Sequence, residues 1–230
     1  MIQGALISAP VVSRHGIFFW LLRTIVRVRY TFFLTSVLLG MRIRSFGPLL
    51  VWIVVSFLAI LLHEFGHAFA ARFYGQDPKI EIHGFGGVTQ WAWVDELRWW
   101  QRVIISVAGP GIGFLVGGLL YLGQPLLPGF DSYLLWLANR YFLWVTLGWG
   151  LFNLLPILPM DGGRSLSEIL EHRMGQSRGR RLARQVSIGT AALAMIGGIG
   201  WGEVWVVILC AIFAFDNYQR MRGRPGVELR

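Results

Sequence analysis

Two histidines and a glutamate stand in "SFLAILLHEFGHAFAARFYG", Ser56–Gly75, within a run that otherwise reads as a membrane span. Ionisable groups in hydrocarbon are costly and mark functional positions. His63 and His67 are four residues apart, so on a helix their side chains share one face, one turn apart. That spacing lets two imidazoles reach one zinc ion, and Glu64 can sit beside the metal and accept a proton from water. The competing reading is a chance match, with both histidines hydrogen-bonded between helices.

A catalytic zinc takes three protein ligands and keeps a fourth position open. The third must come from elsewhere, and "LFNLLPILPMDGGRSLSE", Leu151–Glu168, offers Asp161. Pro156 and Pro159 cannot continue a helical hydrogen-bond ladder, so the span loosens and Asp161 falls on a turn before Gly162 and Gly163. "SLSE", Ser165–Glu168, fits a capping box opening a short helix. Taken locally, an ordinary Asp-Gly turn explains Asp161 equally well.

The elements that must carry these groups are membrane helices. The 230 residues are 55% hydrophobic and only 14% charged, whereas a soluble domain is about a quarter charged. A span needs about 20 mostly apolar residues. The runs Pro48–Tyr74, Val103–Leu122, Tyr141–Pro159, Val186–Gly200 and Val204–Phe215 qualify or come close, and Val26–Gly40 adds a short first span. Tyr141–Pro159 could extend back toward Tyr133 if Arg140 snorkels. "WGE" between the last two runs implies a tight helical hairpin. The expected fold is therefore an all-α polytopic membrane protein of about six transmembrane helices. One integral domain is expected, with an amphipathic segment over 1–30, a transmembrane core over 31–218 and a tail over 219–230.

The charge is +9, from 20 arginines and one lysine. With six spans, Arg42, Arg44 and Arg140 fall on one side and the other 18 of the 21 basic residues on the opposite side. The positive-inside rule then puts both termini and the two longest loops in the cytoplasm. The basic segment Arg173–Gln185 is read as a polar loop anchored at lipid headgroups, and no nucleic-acid partner is expected. The start of the chain has no basic region ahead of its apolar stretch, so no cleaved signal peptide is expected. Cys210 is alone in an apolar run, which suits an inert buried thiol. On this topology the His63 span runs inward, the next returns and the Asn153 span runs inward again. His63, His67 and Asp161 can then converge at the cytoplasmic face.

Between the second and third spans, "KIEIH" alternates like a strand and glycines follow it, which predicts a small hairpin or re-entrant sheet near the site. His83 reads as a loop histidine, because three other ligands already complete a zinc set. Trp91, Trp93, Trp99 and Trp100 read as interfacial anchors.

"HEFGH" followed by "NLLPILPMDGG" resembles the site-2 protease family of intramembrane zinc metalloproteases, in a compact form without an appended PDZ-like or CBS-like domain. The match carries His63, Glu64 and His67 on one span, and Asn153, Pro156, Pro159, Asp161 and Gly162 on a later one. The resemblance implies Zn2+ held by His63, His67 and Asp161, with Glu64 as general base. It implies that Asn153 helps hold the substrate backbone or tetrahedral intermediate, although an asparagine bonded between helices fits its sequence context nearly as well. "AGPGIGFLVGG" from Ala108 resembles the family's A-G-P segment, with Gly113 near the place of an asparagine often found there. The implied partner is a membrane-anchored protein cleaved in or near its transmembrane segment, with the lipid bilayer around it. A metal-ion transporter using the same ligands is the alternative.

Overall fold

The computed structural model describes residues 7–14, 16–92, 96–124 and 132–224. They form two compact units. The first contains a five-stranded sheet in the order β1 (Val11–Ser13), β2 (Gly16–Leu21), β3 (Thr24–Arg29), β4 (Asp77–His83) and β5 (Gly86–Ala92). Neighbouring strands are antiparallel except β3 and β4, which run parallel. Helices α1 (Tyr30–Leu39) and α2 (Phe46–Phe73) connect that parallel pair. Parallel strands need such a crossover, because no tight turn can join them.

The sheet packs on α2. Leu61, Phe65 and Ala68 recur at helical spacing and meet Val26 and Val28 of β3 and Ile80 and Ile82 of β4 in one buried cluster. At the far end of α2, the Arg72 guanidinium donates to the carbonyls of Leu22 and Arg23 and to Thr24 Oγ1 at 2.6–3.1 Å. Leu22 and Arg23 are the two central residues of the β2–β3 turn, with φ of 50° and 62°. Positive φ at both positions matches the twist of a hairpin, and neither residue favours it. Arg72 holds the turn that the sequence does not advertise.

Strand β3, at the end of the segment expected to be amphipathic, alternates with a period of two. Val26 and Val28 point into the core while Arg27 is exposed, and Arg27 and Arg29 pair with Glu81 on β4. The expected first span is therefore β3 followed by α1, whose ten residues reach about 15 Å, half the roughly 30 Å of a hydrocarbon core.

Among the described residues, four helices are long and apolar enough to cross a membrane: α2, α3 (Trp99–Gly123), α7 (Gln176–Trp201) and α8 (Val204–Met221). Between them lie α4 (Tyr133–Leu143), a π-helical segment at Trp144–Trp149, the one-turn α5 (Gly150–Asn153), and α6 (Asp161–Met174). The three pieces from Tyr133 to Asn153 run without a break and end before Pro156, short of the expected Pro159. In the first unit, the C-terminal part of α3 packs through glycines four residues apart. A Cβ on Gly66 of α2 would lie 2.4 Å from the Ala108 carbonyl oxygen, and one on Gly117 would lie 2.7 Å from Thr146 Oγ1. Gly113 sits against the Thr146 carbonyl, consistent with a packing role at that place. Small residues let membrane helices approach closely where no hydrophobic force drives them together.

In the second unit, α7 and α8 form the expected tight hairpin, closed by Gly202 with φ of 71°. Gly179, Ala183, Ser187 and Ala191 are buried at four-residue spacing along α7, and Ile157, Met160, Cys210 and Phe213 join Ala191 in the core. The basic segment expected as a loop is helical apart from Gly175, a break with φ of 81°. Burial of Gly179 on the backbone of Glu171 and the paired hydrogen bonds of Arg180 to the Glu171 carboxylate order it.

The Gly66 contact is with backbone and cannot swing aside. Gly66→Ala is expected to cost about 1–3 kcal/mol by overpacking, seen as earlier thermal unfolding in detergent. Gly111→Ala is the control: nothing lies within 4 Å of a Cβ added there, and the transition should come no earlier than in wild type.

Candidate active site

His63 and His67 lie inside α2 rather than at its tip. His67 is 7% exposed and Glu64 3%. The two Nε2 atoms are 3.1 Å apart and the rings meet edge to face, with centroids separated by 4.8 Å. Nitrogens each 2.0–2.1 Å from one tetrahedral zinc would be about 3.3 Å apart, so the pair needs almost no adjustment to share an ion. Gly109 makes room for this arrangement: a Cβ there would lie 2.2 Å from His67 Nε2. Gly66 and His67 thus present one face of α2 to Ala108–Gly109 of α3, while Leu61, Phe65 and Ala68 present another to the sheet.

Glu64 belongs to the sheet-facing side. Thr89 Oγ1 of β5 lies 2.6 Å from Glu64 Oε2 and 3.1 Å from the Glu64 carbonyl oxygen, donating its hydroxyl proton. A Cβ on Gly87 would lie 2.4 Å from Glu64 Oε1, so the strand can come this close only because Gly87 has no side chain. Gly87 and Thr89 pair with Ile82 and Ile80, and period-two alternation turns all four toward α2. His83, at the end of β4, accepts the Phe85 backbone N–H at Nδ1. Burial holds its imidazole below the ordinary histidine value, with Glu81 opposing. It belongs to a strand and not to the expected loop. Trp91 lies on β5, Trp99 stacks on His172 with centroids 4.6 Å apart, Trp100 is 37% exposed, and Trp93 lies outside the described residues.

Asp161 is the first residue of α6 and is 7% exposed, not a residue of an open turn. Acidic groups are favoured at a helix N-terminus by the macrodipole. The helix starts four residues ahead of the expected capping box, because Gly162 and Gly163 let its first turn sit on the preceding loop. A Cβ on Gly162 would lie 2.0 Å from the Leu154 carbonyl oxygen, and one on Gly163 would lie 2.4 Å from backbone atoms of Ile157 and Leu158. Here the Asp-Gly-Gly run serves close packing, and neither glycine has a positive φ. The loop itself is held by two buried polar side chains. The Leu158 N–H donates to Ser187 Oγ at 3.0 Å, and Asn217 Nδ2 donates to the Leu158 carbonyl at 2.7 Å. Asn153 is half-buried at the last residue of α5.

The first unit carries His63 and His67 and the second carries Asp161, so the described residues offer two imidazoles and one carboxylate to a metal ion. Two imidazoles and one carboxylate are a donor set that zinc accepts in sites with an open fourth position. Thr89, Gly87, Ser187 and Asn217 are residues that the sequence motifs do not single out, whereas Gly109 belongs to the A-G-P segment. Only Thr89 and Gly87 left a trace, as period-two neighbours on a foreseeable strand.

The sequence pattern of peptidase family M50 matches residues 129–197. A zinc metalloprotease of Methanocaldococcus jannaschii is 29% identical over 186 residues, 76% of this chain and 50% of the relative. The chain thus spans about half the length of that relative. A solved site-2 protease from Methanocaldococcus jannaschii superposes with a TM-score of 0.63 at 25% identity, covering 97% of this chain and 98% of the other. With both sequence motifs on the elements that this architecture supplies, the chain is similar to peptidase family M50 over residues 129–197 and to a solved site-2 protease along nearly its whole length.

Proposed function

We propose that the chain is a zinc-dependent endopeptidase that hydrolyses peptide bonds in or near the transmembrane segment of membrane-anchored proteins. It would act in the cell inner membrane, with both termini cytoplasmic. The observation that carries this reading is the pairing of His63 and His67, whose Nε2 atoms are 3.1 Å apart, with the Glu64 carboxylate one residue from the first of them.

His63, His67 and Asp161 would hold the zinc. When bound, zinc supplies Lewis-acid chemistry, polarising a carbonyl and making water acidic enough to attack it near neutral pH. Glu64 takes a proton from the attacking water as its oxygen bonds to the scissile carbonyl carbon. As the C–N bond breaks, Glu64 passes that proton to the leaving nitrogen. Asn153 would hold the substrate backbone or the tetrahedral intermediate through its amide. A helical substrate keeps its carbonyls in its own hydrogen bonds and must unwind locally, and an edge strand such as β5 can pair with the released backbone. Transport of the metal through the same ligands is not favoured, since the relatives are metalloproteases by name.

Co-expression with candidate single-span substrates tests the reading, wild type against Glu64→Gln. Glu64→Gln should keep its zinc and lose about 10²–10⁴-fold in cleavage rate, the usual worth of a general base; full activity would remove the mechanism. Asp161→Ala should weaken zinc binding itself, measured by chelator competition. Asn217→Leu frees the Leu158 carbonyl behind Asp161, and its loss of zinc affinity should fall in the range of about 10–100-fold that supporting hydrogen bonds command.

A further inference from the structure

We propose that Thr89 is a positioning residue that decides which oxygen of Glu64 takes the proton. The inference rests on the general-base reading of Glu64 and adds a residue outside both sequence motifs. A general base must present one lone pair along the path of the proton, and a carboxylate on a two-methylene stem can turn away from it. One strand lies against both oxygens of Glu64 and bonds one of them. Oε2 lies 2.6 Å from the Thr89 hydroxyl, and Oε1 lies over the bare Cα of Gly87.

Thr89 is itself buried, at 6% exposure, and its neighbour across the ladder is Ile80, in the core between sheet and α2. A β-branched side chain has few rotamers, so the backbone register of β5 sets where its hydroxyl points. That hydroxyl has one proton. Donated to Oε2, it takes up one of the two lone pairs there and lowers the basicity of that oxygen, which favours Oε1 as the acceptor from water. The same geometry explains why the two residues must alternate: Gly87 and Thr89 are two apart and face α2 together, whereas Val88 and Gln90 face away. The second acceptor within reach of Thr89 Oγ1 is the carbonyl of Glu64 itself, so the contact holds backbone and carboxylate of the same residue.

A hydroxyl that merely joined β5 to α2 would matter for folding alone, and the test separates the two roles. The full chain is purified in bilayers as wild type, Thr89→Val and Thr89→Ser, and zinc content, KM and kcat are measured. Thr89→Val keeps the shape and removes the donor. It should retain stoichiometric zinc and KM within about twofold, while kcat falls about 10–100-fold, the range for an outer-shell hydrogen bond. Thr89→Ser should recover most of kcat. Independently of cleavage, the Glu64 carboxylate stretch, isolated by subtracting the infrared spectrum of Glu64→Gln, should shift in Thr89→Val and return in Thr89→Ser. An unshifted band, an unchanged kcat, or a loss that tracks zinc or that serine does not repair would overturn the proposal. If Glu64→Gln cleaves as fast as wild type, the general-base reading fails by itself; the infrared comparison still decides whether Thr89 holds the carboxylate.

Discussion

A charged or polar side chain inside an apolar helix must find its solvation in the protein, and α2 poses that problem three times in five residues. His63, Glu64 and His67 lie six to ten residues before Phe73, the C-terminal end of α2, or about 9–15 Å at 1.5 Å each. Lipid offers them nothing, since each unsatisfied polar group there costs several kcal/mol. The surroundings are explicable as answers to this constraint. The imidazoles face one another, and the carboxylate faces a hydroxyl on β5.

The answers require backbones to come close, and glycine is what permits it. Gly66 and Gly109 let the His67 face of α2 approach α3, Gly87 lets β5 lie over Glu64, and Gly162 and Gly163 let α6 begin directly on the Leu154–Leu158 loop. At each of these the atom met by an added Cβ is backbone or a site side chain. The glycines therefore serve proximity more than turning. Around them the polar contacts are few but buried. Ser187 and Asn217 hold one peptide group of Leu158 from two different helices, which stiffens the approach to Asp161 without adding a charge.

Division of labour between the sheet and the helices follows from the same physics. Helices satisfy their own backbone groups, so they can carry the site through an apolar layer. They cannot offer an unpaired backbone edge, and strands can. The hairpin of β4 and β5 is packed on α2 by Ile80 and Ile82, and the side-chain alternation that buries those isoleucines also aims Gly87 and Thr89 at Glu64.

By itself the sequence determined the candidate chemistry and the class: two imidazoles at i, i+4 spacing, the carboxylate beside them, the second motif with Asp161, and the apolar helices. These are local properties, fixed by residue identity and by the periods of helix and strand. Only the tertiary structure decided that "TIVRVR" is a strand parallel to β4 instead of the entry to a span, because short amphipathic segments take their period from what they pack on. It also decided that Asp161 opens a helix, since the room for that first turn is made by Leu154 and Leu158 meeting glycines rather than by any turn preference. Thr89, Ser187 and Asn217 were silent in the sequence for the same reason: a hydroxyl or an amide acquires its role from the partner that the fold brings to it.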